Sequence, residues 1–131
     1  DEKDEVVLRA ADVALRAGVT SVGTLLDTAD QMQAYHRLHR AGRLPLRVTG
    51  MPPWSSVDAL HANGVGTGFG DHRLRFGGAK LFADGSLGAR TALVSAPYAD
   101  HPDRSNLGVR IYEPDDLARR VGEAHRKAFQ I

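Results

Sequence analysis

The residue whose position most suggests a chemical role is Lys80, which lies near the C-terminal end of an otherwise apolar run. Taking a charged ammonium group out of water is costly, so burial at this position favours the neutral amine. A neutral buried amine can capture CO₂ and become a carbamate, an anionic ligand whose two oxygens can bridge two metal ions. The alternative is an ordinary lysine whose stem packs while its ammonium group reaches water or Asp84. Spacing alone favours this second interpretation, because lysine is rarely buried.

The histidines form no motif typical of a metal or catalytic site. Six are present, and the pair His36 and His39 has the i, i+3 spacing that could chelate a metal ion from one helix. These two flank the apolar stripe of an amphipathic segment among Gln33, Arg37 and Arg40, a pattern typical of a solvated helix face. The sequence contains no H-x-H, no H-E-x-x-H and no serine-centred G-x-S-x-G.

A glycine-dense stretch from Gly64 to Gly70 could suggest a phosphate-binding loop, but its spacing does not fit one. A G-x-G-x-x-G frame fails because Phe69 and Asp71 stand where the third glycine is required. No G-x-x-x-x-G-K-[ST] sequence occurs either. The stretch is typical of a flexible connection between a helix and a strand.

Composition limits the classes of function. The 131 residues are 42% hydrophobic and 25% charged, which is typical of a folded globular chain and not of a disordered one. The net charge of +1 gives no concentrated basic surface, so we expect neither a nucleic acid nor a membrane as partner. Cysteine is absent, which excludes disulfides and thiolate metal sites and is compatible with the reducing cytoplasm, where we place the protein.

Helical and extended patterns alternate along the chain. Apolar residues at helical spacing predict four helices, over residues 5–17, 29–40, 57–63 and 115–128. Short runs rich in β-branched residues predict three strands, over residues 19–26, 44–51 and 74–82. Residues 83–111 show no sustained period, and a loop of that length in a compact domain usually has a function.

The predicted helices have recognisable ends. We expect Asp27 or Thr28 to cap the second helix and Ser55 or Ser56 to cap the third. Gly18 and Gly42 are placed to end the first and second helices. Pro114 suits the first turn of the last helix, whose apolar stripe consists of Leu117, Val121, Ala124 and Ala128.

This alternation predicts an α/β fold with about three parallel strands joined by right-handed helical crossovers. Two architectures fit, an open doubly wound sheet and a segment of a (β/α)₈ TIM barrel. A whole barrel needs about 250 residues, so this chain would hold only part of one. Gln130-Ile131 has the character of the first two residues of a further strand.

The run "GGAKLFADGSLGARTALVSAPYAD" closely resembles the segment around the fourth barrel strand in the YtcJ-like branch of the amidohydrolase superfamily, which includes N-substituted formamide deformylases. Upstream, "ALRAGVTSV" resembles the helix that leads into that family's second strand. Downstream, "EPDDLARRVGEAHRKAFQI" resembles the helix that leads into its fifth strand. The likeness covers nearly the whole chain in the right order. Residues 1–131 are therefore interpreted as a single segment of such a barrel, from the second-strand region to the start of the fifth strand.

The resemblance implies a reaction and a site. The reaction is hydrolysis of an amide, formamide or related C–N bond by a metal-activated water, with a divalent metal, zinc being expected. Lys80 matches the strand-four lysine that ligates the metal when carboxylated. Asp84, Ser86 and Arg90 match the loop after it, where substrate contacts are expected. The second strand of relatives often ends in Val-His-Asp, whereas this chain has Val22-Gly23-Thr24.

The resemblance also places the other metal ligands outside these residues: the first-strand H-x-H, the fifth- and sixth-strand histidines and the eighth-strand aspartate. One ligand does not hold Zn²⁺, so we expect the isolated segment to bind no metal and to be inactive. Two alternatives stay open, a non-catalytic regulatory or structural module derived from the same barrel and a small doubly wound binding domain. A partial barrel leaves strand edges and apolar faces uncovered, so self-association is expected.

Overall fold

The computed structural model describes residues 2–131, which form two compact units. The first unit contains the chain up to Lys80 together with Ala124–Ile131, and the second is Leu81–Glu123. No helix among residues 2–131 combines the length and the apolar character needed to cross a bilayer.

Four α-helices and three strands alternate as predicted. The helices are α1 (Glu2–Arg16), α2 (Ala29–Arg40), α3 (Val57–Ala62) and α4 (Pro114–Arg126), and a short 3₁₀ turn, Trp54–Ser56, precedes α3. The strands are β1 (Ser21–Leu25), β2 (Arg47–Met51) and β3 (Leu74–Phe76). Both pairings between these strands are parallel, in the order β1-β2-β3, with Ser21 opposite Arg47 and Val48 opposite Leu74.

The caps of α1 and α2 follow from their sequences. Thr28 accepts a hydrogen bond from the backbone N–H of Gln31, and the Gln31 side chain bonds back to the N–H of Thr28. This reciprocal pair satisfies two N–H groups that the helix itself leaves without acceptors. Gly18 and Gly42 have φ angles of 79° and 64° after α1 and α2, a conformation that glycine adopts without the usual steric cost.

Several boundary predictions were wrong. The strand predicted over residues 74–82 has regular pairing only over Leu74–Phe76. Ser56 occupies the N-cap position of α3 but its side chain makes no capping hydrogen bond, because its backbone continues the preceding 3₁₀ turn. Ala128 was predicted to extend the stripe of α4, but the helix ends at Arg126 and Ala128 has a left-handed backbone with φ 62°.

The helices of the first unit pack on one face of the sheet. Val48 and Leu74 are buried with Ala11 and Leu38 from α1 and α2, and each fully buried leucine contributes about 1.5–3 kcal/mol through removal from water. A second cluster joins Val57, Ala79, Ala124 and Phe129. Side chains that alternate with these along the strands, such as Arg47 and Arg75, are exposed. One-sided coverage is the arrangement of a barrel wall, whereas a doubly wound sheet carries helices on both faces.

Asp71 fixes the start of β3. Its carboxylate accepts hydrogen bonds from the backbone N–H groups of Leu74 and Arg73, at 3.0 and 2.7 Å, and its other oxygen lies 2.9 Å from Nε2 of His39. The two backbone hydrogen bonds, from Leu74 and then from Arg73, and after them the His39 contact, together lower the pKa of Asp71 from 3.8 to about 2.

We therefore expect Asp71 to stabilise the fold near neutral pH and to lose this contribution in acid. A carboxyl whose pKa is lower in the folded than in the unfolded state contributes stability that is fully present above pH 3.8 and lost as pH falls towards 2. In the longer protein, urea unfolding between pH 5 and pH 2 should show a smaller loss of stability for Asp71→Asn than for the wild type. Asp27→Asn, at an exposed carboxylate, is the control. Equal pH dependence in Asp71→Asn and the wild type would contradict this account.

Candidate functional site at the end of the third strand

Lys80 reaches its position through an extra residue in the third strand. Gly50 of β2 pairs with Phe76, and further along Pro53 pairs with Lys80. Pro53 is three residues after Gly50, whereas Lys80 is four residues after Phe76. The chain from Phe76 to Lys80 is therefore one residue longer than its partner, which is the definition of a bulge. A one-residue slip exchanges the two faces of a strand. Ala79 consequently joins Leu74 and Phe76 on the helix-covered face, and alternation places the Lys80 side chain on the opposite face.

Two glycines make this bulge possible. A β-carbon on Gly77 would lie 2.7 Å from Cγ2 of Thr49, and one on Gly78 would lie 2.8 Å from the carbonyl oxygen of Gln130. Contacts under 3.0 Å require a shift of the neighbouring atoms, and the Gln130 oxygen belongs to the backbone. The Gly77-Gly78 pair is therefore explained by the close approach of the Thr49 side chain to Gly77 and of the Gln130 backbone to Gly78.

The backbone of Lys80 is fixed on the sheet. Its N–H donates to the carbonyl of Pro52 at 2.7 Å, and its carbonyl accepts from the N–H of Trp54 at 2.8 Å. On the other side, the N–H of Ala79 donates to the carbonyl of Gln130 at 2.7 Å. The backbone at Gln130 therefore lies beside the bulge, in the position that a next strand of the sheet would take. The Lys80 side chain is half-buried. Lys80 thus lies at the carboxyl end of a parallel strand, where barrel enzymes place their sites.

Asp84 and Ser86 lie in the second unit, in the loop that follows Lys80 along the chain. Asp84 is half-buried, and its Oδ2 accepts a hydrogen bond from the N–H of Leu93 at 2.9 Å. The backbone of Ser86 bonds to Thr91 in both directions, at 3.0 Å from the Ser86 N–H to the Thr91 hydroxyl and 3.0 Å from the Thr91 N–H to the Ser86 carbonyl. Ser86 itself is exposed, so its hydroxyl can reach a molecule outside the loop.

Arg90, the third residue predicted in this loop, is half-buried and engaged within the loop. Its Nε donates to Oδ1 of Asp100 at 2.9 Å and its Nη2 to Oδ2 of the same carboxylate, while Nη1 donates to the carbonyl of Leu87 at 3.1 Å. The hydrogen bond from Arg90 lowers the pKa of the Asp100 carboxyl, and Asp100 in turn raises the pKa of Arg90. Paired, charge-assisted hydrogen bonds of this kind fix both side chains.

A model of the family described as "Amidohydrolase family" matches residues 1–131. The chain belongs to the amidohydrolase family. Two curated proteins are similar to it. The "Putative amidohydrolase YtcJ" of Bacillus subtilis is 32% identical over 111 residues, which is 80% of this chain and 19% of the relative. "Protein LONG AFTER FAR-RED 3" of Arabidopsis thaliana is 30% identical over 144 residues, which is 100% of this chain and 24% of that protein.

Solved structures agree with the amidohydrolase assignment. An uncharacterized metal-dependent hydrolase from Pyrococcus furiosus superposes with a TM-score of 0.83 at 34% identity, over 97% of this chain and 26% of that one. Its counterpart from Pyrococcus horikoshii has a TM-score of 0.84 at 35% identity, over 98% and 26%. The amidohydrolase segment thus spans about a quarter of those chains. The predictions of a YtcJ-like relationship and of a partial barrel segment with parallel strands and alternating helices are confirmed.

The amidohydrolase segment does not by itself fit a metal ion. Among residues 2–131 no group of three or more His, Cys, Asp or Glu side chains lies close enough to hold one, whereas Zn²⁺ takes three or four protein ligands. His36 is exposed, and His39 contacts Asp71. Lys80, predicted to be a metal ligand, lies at a strand end, and residues 2–131 bring no such group together to complete a site with it.

Sequence reasoning missed the residues that organise the loop after Lys80. Asp100 pairs with Arg90, Asn106 donates from Nδ2 to the Arg90 carbonyl at 2.9 Å, and the Tyr98 hydroxyl donates to the carbonyl of Ala92 at 2.8 Å. These partners are 6 to 16 residues apart along a stretch without periodicity. The sequence showed only that this stretch is long and has no sustained period. No pattern in it predicts which of these residues form hydrogen bonds with one another.

Proposed function

We propose that this amidohydrolase chain is one segment of a longer metal-dependent hydrolase that cleaves the C–N bond of a small amide or formamide. The observation that carries the proposal is the position of Lys80, on a strand-end bulge within a segment that matches metal-dependent hydrolases along nearly its full length. The chain spans only 19–26% of its relatives, so activity is proposed for the longer protein.

In this proposal Lys80 supplies one ligand of a divalent metal site, as a carbamate. A carbamate would give a half-buried lysine two anionic oxygens in place of a cationic ammonium group. Zinc is the expected ion, and its contribution would be to activate the attacking water. Asp84, Ser86 and Arg90 serve substrate binding, directly or by arranging the loop. The substrate is a small amide-type molecule, and no nucleic acid, membrane or second macromolecule is required.

The isolated segment is proposed to be inactive and to self-associate. Within residues 2–131, β1 lies at the edge of the sheet and pairs on one side only, with β2. Exposed parallel edges and apolar side chains favour pairing with further copies. Sedimentation of the 131-residue polypeptide should show oligomers, and a monodisperse monomer would contradict this expectation. We place the longer protein in the cytoplasm, a proposal that imaging of a tagged copy would test.

The functional proposal is tested on the longer protein. Purified protein is treated with a chelator, reloaded with zinc, manganese or no metal, and assayed on a panel of N-substituted formamides and simple amides. We expect hydrolysis that disappears with the chelator and returns with one of the metals. If the protein contains no metal as purified, and hydrolyses none of the substrates with any added metal, the proposal is contradicted.

A second candidate is a non-catalytic module built on the same barrel. It is supported by Gly23-Thr24, where the resemblance to the YtcJ-like branch leads us to expect His-Asp. This alternative requires that the longer gene lack the histidine motifs that precede and follow this segment. Sequencing the flanking regions therefore distinguishes the two candidates before any assay.

A further inference from the structure

Arg90 has a backbone conformation that needs support from its surroundings. Its φ angle is 57°, in the left-handed region that residues other than glycine, asparagine and aspartate rarely adopt. Such conformations persist when neighbouring contacts hold them, and they are concentrated at functional sites.

The support comes from both ends of the loop. The guanidinium group binds the Asp100 carboxylate with two hydrogen bonds and the carbonyl groups of Leu87 and Gly88 with a third donor. The Arg90 carbonyl accepts from Asn106, whose Oδ1 accepts from the Gly108 N–H at 2.9 Å. Arg90 therefore joins the segment before it to two segments 10 and 16 residues further along the chain.

The segment that Arg90 holds is the one that carries Ser86. The Ser86 carbonyl accepts from the N–H groups of Thr91 and Ala92 at 3.0 and 3.1 Å, closing a tight loop around Arg90. The Thr91 carbonyl accepts from the N–H of Val109 at 2.8 Å, which ties this loop to the extended chain beyond Gly108. Ser86 is thus held at its backbone while its side chain is exposed.

We propose that Arg90, held by Asp100 and Asn106, is a positioning residue for Ser86, and that the Ser86 hydroxyl is the group of this loop that contacts substrate. A hydroxyl both donates and accepts a hydrogen bond, which suits the carbonyl and N–H groups of an amide. The Arg90 guanidinium, in contrast, is already directed at a carboxylate and two carbonyl groups inside the loop. This assignment rests on the proposed hydrolase function and adds Asp100 and Asn106 to its supporting residues.

The kinetic test is a double-mutant cycle in the longer protein. Ser86→Ala should raise KM about tenfold, the effect of one lost hydrogen bond, with a smaller change in kcat. Asp100→Asn should raise KM to a similar extent, and the double variant should be no worse than the more affected single variant, because Asp100 acts through Ser86. Effects that multiply, or a KM unchanged by Ser86→Ala, would overturn the proposal.

Hydrogen exchange tests the positioning role without any assay of activity. Asp100→Asn should increase exchange at the amides of Thr91, Ala92 and Val109 by at least about tenfold. Asp103→Asn is the matched control, since Asp103 lies in the same loop but binds Ser105. Unchanged exchange in Asp100→Asn would refute the positioning role. If the wild type hydrolyses no amide, the hydrolase function fails, and exchange alone then decides whether Arg90 positions the loop.

Discussion

Replacing Lys80 with glutamine in the longer protein should lower kcat/KM for amide hydrolysis by more than about 100-fold, the upper range for removing a residue that only supports a metal ligand. Glutamine keeps an unbranched polar side chain, shorter than that of lysine, but cannot take up CO₂, so the two oxygens of the proposed carbamate, which share one negative charge, would be lost. Metal content measured on the same samples should fall with activity. A variant that keeps wild-type activity and metal would exclude Lys80 as a ligand.

Two comparisons make the Lys80 result specific. Lys127→Gln removes another lysine of the same unit, one that pairs with Asp58, and should leave metal content unchanged. Lys80→Ala leaves a cavity, into which a small carboxylate such as acetate could supply the two missing oxygens. We expect millimolar acetate to restore part of the activity of Lys80→Ala but none of the activity of a chelated wild type. Failure of every small carboxylate to restore activity would count against the carbamate.

Gly78→Ala should reduce the free energy of unfolding of the longer protein by about 2–3 kcal/mol, within the range for overpacking and backbone strain. The new methyl group would lie 2.8 Å from the backbone oxygen of Gln130, so the strand must move away from its neighbour. The same movement displaces the bulge that orients Lys80. We therefore expect metal occupancy to fall together with stability, as measured by chemical denaturation and by elemental analysis.

Gly88→Ala is the control for this substitution. No atom lies within 4 Å of the position that its β-carbon would take, and its φ angle is not positive. Removing glycine flexibility at an open site changes stability little or raises it slightly. Equal destabilisation in Gly78→Ala and Gly88→Ala would show that the Gln130 contact is not the cause.

Local patterns in the sequence were sufficient to predict the elements of the first unit. Helical spacing predicted a buried stripe of Ala34, Leu38 and Ala41; the first two are buried in α2, whereas Ala41 follows the end of the helix and is exposed. Asp27 or Thr28 was predicted to cap the second helix, and Thr28 does so, in a capping box with Gln31. These predictions depend on interactions within one turn of helix, which sequence spacing reports directly.

The geometry of the candidate site could not be predicted in the same way. The sequence predicted an uninterrupted strand through Gly77-Gly78, and only the pairing of Pro53 with Lys80 reveals the extra residue. Likewise, the pairing of Arg90 with Asp100 and Asn106 joins residues far apart in a stretch without periodicity. Register and loop closure depend on contacts between distant segments, and a single sequence carries no direct record of them.

The measurement that tests the central proposal most directly is a crystal structure of the longer protein, with anomalous scattering recorded at the absorption edge of its bound metal. We predict a metal peak about 2.0–2.2 Å from an oxygen of a carboxylated Lys80, with the remaining ligands supplied from outside residues 1–131. A metal centre whose ligands do not include Lys80, or a structure with Lys80 directed away from every metal peak, would contradict the proposed role of this segment.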